Sequence, residues 1–204
     1  MKKLKYILAS VVLATGFASC ETESIDEKVK DDSLTGTPIL SFDLNSKETV
    51  VTDKVEVGFT GNGVSIYARL SLVNQDDTSN PEIRYKAANL EINFSSLAVA
   101  NFPTVLSIDN PSNLTSMASL QVQEYTPAEE EGKFDKVWVS YSTSFAAENQ
   151  NAGYGNITHV NGTAEYMNGN FDYILFPQEP TEETQDIDLQ PQRITKGNFN
   201  YLHY

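Results

Sequence analysis

Hydrophobic and polar residues alternate with a period of two over most of this chain. Val55, Val57 and Phe59 alternate with polar neighbours. Val64, Ile66, Ala68, Leu70 and Leu72 do the same after Gly61-Asn62-Gly63, and Leu90, Ile92 and Phe94 repeat the pattern. Successive side chains of a strand point to opposite faces, so this period predicts half-buried β-strands. Two alternating runs flanking an Asn-Gly pair predict a hairpin. Ile39, Leu40, Phe42 and Leu44 predict an earlier strand. Leu120 and Val122 predict one that reaches towards Tyr125, and Val137, Val139 and Tyr141 another.

Turn-forming residues separate these runs. Polar loops are expected at Asn74 to Pro81, Pro127 to Lys133, Phe145 to Gly155 and Glu179 to Asp188. Asn101 to Ser116, with two prolines and short apolar pieces, predicts no clear strand. Near the C-terminus, Ile157 to Val160 runs into Asn161-Gly162, and Thr163 to Met167 runs into Asn168-Gly169; both pairs read as hairpin turns. Phe171, Tyr173, Leu175 and Phe176 follow, and Arg193 to Tyr204 reads as the last strand. Gly169-Asn170-Phe171-Asp172-Tyr173 is echoed by Gly197-Asn198-Phe199-Asn200-Tyr201, as two neighbouring antiparallel strands with the same glycine-entered geometry would be. The expected fold is all-β: an antiparallel sandwich or up-and-down barrel of about nine or ten short strands. Sequential hairpins near the C-terminus favour up-and-down neighbours.

The first 37 residues break the pattern. Lys2, Lys3 and Lys5 precede an apolar run from Tyr6 to Phe17 that is too short for a stable membrane span. Phe17-Ala18-Ser19-Cys20 follows, and Cys20 is the only cysteine. This segment resembles the lipobox that ends a bacterial lipoprotein signal, with Phe17 where leucine is usual. The resemblance implies cleavage after Ser19 and a diacylglyceryl thioether on the Cys20 sulfur. Glu21 to Thr37 is polar and acidic and cannot bury enough apolar surface to fold alone. It reads as a tether of about 17 residues, reaching at most about 60 Å. The expected organisation is thus a signal at 1–19, lipidated cysteine and tether at 20–37, and one antiparallel β domain at 38–204.

Several features resemble small Bacteroidota lipoproteins of unknown function. They are the lipobox, the Phe-containing first strand, Val160-Asn161-Gly162-Thr163 and Ile194-Thr195-Lys196-Gly197-Asn198-Phe199. The acidic residues after Cys20 resemble the surface-export signal of such proteins, and Asp32-Ser33-Leu34 resembles their O-glycosylation site, at Ser33. The resemblance implies an outer-membrane lipoprotein, displayed on the cell surface or else facing the periplasm. It brings no catalytic residues with it.

The full chain has 14 basic and 28 acidic side chains, a charge of −14. Removal of residues 1–19 leaves 11 basic against 28 acidic, or −17. A field of that sign disfavours nucleic acid and repels anionic membranes, so anchoring would fall to the lipid on Cys20. Catalysis has few candidate parts. The two histidines, His159 and His203, sit in strand-like segments, and no nucleophile elbow is present. No His or Cys cluster suits zinc. Asp76-Asp77-Thr78-Ser79-Asn80 and Glu182 to Asp188 offer oxygens for calcium but not at a calcium-loop spacing. No cofactor or catalytic residue is assigned.

The expected function is therefore non-enzymatic, a surface binding or structural domain with an extracellular glycan or protein as partner. A glycan-binding module is one form this takes. Trp138 alternates with Val137 and Val139, so if the valines face the core it faces solvent, where an indole can stack on a sugar. Trp138 and Tyr141 are the candidate ligand-binding residues, and Tyr85, Tyr125, Tyr154, Tyr166 and Tyr173 could join either the core or such a platform. A lipocalin-like carrier with an apolar interior cavity is the other form.

Overall fold

The computed structural model describes residues 39–74, 80–104, 114–130, 132–147, 150–182, 184–185 and 187–204. They belong to one compact unit, Pro38–Tyr204. Cys20, Ser33, the Glu21 to Thr37 segment and Asp76 to Ser79 lie outside the described residues.

The described residues form eleven strands. They are β1 (Leu40–Leu44), β2 (Glu48–Thr52), β3 (Val55–Thr60), β4 (Gly63–Val73), β5 (Tyr85–Phe94), β6 (Ala100–Pro103), β7 (Ser116–Pro127), β8 (Phe134–Ser142), β9 (Gly153–Asn161), β10 (Tyr166–Pro177) and β11 (Gln192–His203). The helical content among them is one 3-10 turn, Thr143–Phe145. The fold is all-β and antiparallel throughout.

One path of ladders runs β2-β1-β11-β10-β8-β7-β5-β4-β3. With β6 and β9 lying off it, neighbours on the path follow one another in the chain as in an up-and-down meander, except at the β1–β11 ladder, which joins the first strand to the last. Its two ends, β2 and β3, are joined by Asp53-Lys54. There the Arg69 amide donates to the Lys54 carbonyl and the Thr52 hydroxyl reaches the Arg69 carbonyl. The sheet thus wraps back on itself in two layers. The first holds β2, β1, β11, β10, β9 and β6; the second holds β3, β4, β5, β7 and β8.

β10 belongs to both layers. Along one edge it pairs with β9 through Tyr166 to Tyr173, and then with β8 through Phe176 and Pro177. β8 and β9 therefore diverge, and a polar node fills the split. The buried Ser116 hydroxyl donates to the Phe102 carbonyl of β6 at 2.6 Å. It accepts from the Gly155 amide of β9 at 3.2 Å and from the Tyr173 hydroxyl of β10 at 2.9 Å. One donor and two acceptor sites are the full capacity of a serine hydroxyl.

Alternation puts the apolar set between the layers. Val64, Ile66, Ala68, Leu70 and Leu72 of β4 are buried, as are Ala88, Leu90, Ile92 and Phe94 of β5. Phe94 meets Phe102 at 5.2 Å and Phe199 at 6.0 Å, so the rings of the two layers interlock. Gly61 takes φ 61° in the expected β3–β4 hairpin, a conformation glycine adopts without steric penalty.

The echoed pentapeptides lie opposite each other, as their similarity predicts. Asn170 pairs with Asn198, Gly169 with Phe199 and Phe171 with Gly197. A Cβ at either glycine would overlap the phenylalanine ring facing it. Each glycine therefore makes the space that its opposite ring fills.

One expectation needs correction, and two strands were not foreseen. Asn168-Gly169 is no turn: it lies inside β10, at irregularities of both its ladders. The reversal before β10 spans Gly162 to Glu165, where the Asn161 side chain accepts the Thr163 and Ala164 amides. β2 was unforeseen, since of its apolar residues only Val50 is buried while Val51 is exposed. It is reached through Asn45 and Ser46, both at positive φ (54° and 57°), a geometry usually signalled by Asn-Gly. β6 overlaps the start of the segment in which no clear strand was readable, and Pro103 closes it.

Candidate functional site

The outward face of the second layer carries the other half of each alternation. Register aligns these side chains into rows across four strands. Arg69, Asn89, Gln121 and Ser140 form one row, and Tyr67, Glu91, Ser119 and Ser142 form the next. One step beyond the first row, Trp138 stands opposite Gln123, and after that Lys136 stands opposite Tyr125.

Trp138 is 48% exposed while Val139 is 3% exposed. The indole therefore faces solvent and the valine the core. Beside it the tyrosines are held in place: the Tyr125 hydroxyl donates to the Tyr85 carbonyl at 2.8 Å. Lys136 lies over the Tyr125 ring at 5.9 Å and Arg84 over the Tyr85 ring at 5.5 Å. Such cation–π contacts hold an aromatic ring without hiding it in the core.

The face is hollow in the middle. A depression of about 660 Å³ is lined by Tyr67, Arg69, Asn89, Glu91 and Gln121, with Ser119 inside and Asp53 to Glu56 as a wall. The Tyr67 ring reaches over β3 at Gly58, where a Cβ would stand 3.3 Å from it. One row further, a second depression of about 910 Å³ includes Ser65, Asn93 and Met117. The Ser65 hydroxyl bonds to the Asn93 side chain, whose amide donates to Glu91 at 3.0 Å. Lys54 and Arg69 stand against Asp53, Glu56 and Glu91, so the first depression carries both signs of charge. Chemically, the face offers amide and guanidinium donors, carboxylate and carbonyl acceptors, and flat rings.

Tyr141 is not part of that face. It is 3% exposed and turns inward with Val139. Its phenol lies at one mouth of the sheet, at the foot of a depression of about 580 Å³ that includes Leu44, Leu72, Val122 and Gln192. Burial first, then the Glu124 charge, pushes its pKa up to about 12, against a hydrogen bond with Gln192 that lowers it. Lys86 and Glu124 pair beside it at 2.6 Å, both largely shielded from water. Tyr141 and Trp138 thus occupy opposite faces of β8.

Among the other tyrosines named above, Tyr85 and Tyr125 join the Trp138 face. Tyr173 is a core residue. Tyr154 bonds to Asp172 in the first layer. Tyr166 packs with Tyr201 and with both histidines, His159 at 5.5 Å and His203 at 6.2 Å. Among the described residues, no group of three or more His, Cys, Asp or Glu is placed to hold a metal ion.

Arg69, Asn89, Glu91, Gln121 and Gln123 were not singled out from the sequence. The signal was present, as the polar half of the alternation in Asn89 to Asn93 and Leu120 to Gln123. Their meeting depends on register, which a strand pattern does not state. No protein family matches the sequence, and neither a curated protein nor a solved structure matches it.

Proposed function

We propose that this chain is an exported, lipid-anchored protein whose β domain binds neutral saccharides on the outer face of the second layer and performs no chemistry of its own. The observation that carries the reading is the exposed Trp138, standing over a register-aligned field of amides beside two fixed tyrosines. An exposed ring offers a sugar its apolar face, and the amides beside it serve the hydroxyls. Opposed charges within the depression, and −14 over the full chain, favour a neutral ligand over a polyanion. The lipocalin-like reading has less support, because Phe42, Phe94, Phe102, Phe171, Phe199 and Tyr173 occupy the space between the layers. Anchorage rests on the resemblance of Phe17 to Cys20 to a lipobox.

Trp138 is the only tryptophan, so indole emission, excited selectively over the tyrosines, reports on this face alone. Titration with soluble neutral glucans, xylans and mannans is expected to quench or shift its emission. W138A, followed by affinity electrophoresis, is expected to weaken retention at least about tenfold, the loss of roughly 1.4 kcal/mol. Unmoved emission across the whole panel rejects the reading. For the anchor, the full-length protein is expected to partition into a Triton X-114 detergent phase and the C20S variant into the aqueous phase. Partitioning of both into the aqueous phase would exclude lipid on Cys20.

A further inference from the structure

We infer that the site takes an extended saccharide chain lying obliquely across the second layer, with Trp138 and Tyr67 as separate platforms for different sugar units. This rests on the saccharide reading above and names the ligand's form. The two rings lie on opposite sides of the Arg69–Asn89–Gln121–Ser140 row, Tyr67 two residues beyond one end and Trp138 two beyond the other. Three strand spacings and four residues along the strands separate them by about 20 Å. One monosaccharide cannot touch both.

The path between them is open and polar. Gln121, Asn89 and Arg69 follow one another across it, and small Ser119 and Ser140 leave the middle low. The ends are flat: Tyr67 is 42% exposed and Trp138 48%. At the Tyr67 end the absent side chain of Gly58 gives the ring room over β3. The adjoining depression beside Ser65 and Met117 leaves space for the chain to continue. A pocket for a single terminal sugar would instead gather its rings around one point.

The test is calorimetric titration with cello-, xylo- and malto-oligosaccharides of one to six units. In the series that binds, affinity should climb with length and then level off. Y67A should remove about tenfold from the affinity for the longest members, the scale of one aromatic contact, and weaken the shortest binding members far less. Y67F should restore it. W138A should weaken every length. The inference is overturned, with saccharide binding intact, if a monosaccharide binds as tightly as the longest member or if Y67A weakens all lengths alike. If no saccharide of any length or polymer binds, the functional reading itself fails and this one with it. Circular dichroism on each variant separates lost binding from lost fold.

Discussion

At Ser116 a single hydroxyl links four strands. It sits on β7 and bonds to β6, β9 and β10, filling both of its acceptor sites and its one donor. Water cannot replace it readily, since the residue is 4% exposed. Removal leaves the buried Tyr173 hydroxyl without its partner, at about 1–3 kcal/mol, and takes one partner each from the Phe102 carbonyl and the Gly155 amide. S116A is therefore expected to lose roughly 2 kcal/mol in a urea denaturation series. Adding Y173F removes one stranded group, so the double variant should lose less than the sum of the singles. Purely additive losses would show that the node is not a unit. Nothing in the sequence marked this serine. It ends the segment in which no clear strand was readable, and its importance comes from a split between β8 and β9 that periodicity does not encode.

At the scale of elements, legibility follows the kind of signal. β4 and β5 were readable because a strand buried on one face writes its environment as a strict alternation. β2 and β6 were not, because short peripheral strands bury too few side chains to write anything. The Gly169 and Gly197 echo was readable as a pairing, yet Asn168-Gly169 was misread as a turn. A turn glycine and a close-approach glycine look alike in sequence; here the facing Phe199 ring decides between them. β11 also holds two non-glycine residues at positive φ, Lys196 at 53° and Tyr201 at 49°. Their amides donate to Asp172 and Asn168 of β10 at 2.8 and 2.6 Å. One such irregularity thus lies on each side of the Asn170–Asn198 pair. The candidate site divides similarly. Trp138 was legible from its own strand, while the field of Arg69, Asn89 and Gln121 needed three ladders in register.

Across the whole molecule, buried phenols tie stability to pH. The fold holds Tyr141 protonated up to about pH 12, against an ordinary value of 10. Between these values the unfolded chain releases a proton that the folded chain retains. Stability is therefore intact below pH 10 and falls as pH rises towards 12. Tyr173 is raised as well, chiefly by burial, and adds to the same decline. Urea midpoints for Y141F should fall less steeply than wild type over this interval, even if they start lower through the lost Gln192 bond. Parallel profiles would show that Tyr141 ionises equally well in both states.

The position of β1 bears on how the molecule would carry load. β1 is the first strand of the described residues, yet it lies inside the sheet, laddered to β2 on one edge and to β11 on the other. A pull passed down the backbone to residue 39 cannot peel it away as it could an edge strand. Two ladders must yield together, and through β11 the strain spreads to β10 and so to both layers. In the lipid-anchored saccharide binder proposed above, the strand nearest the anchor would thus be fastened on both sides against drag.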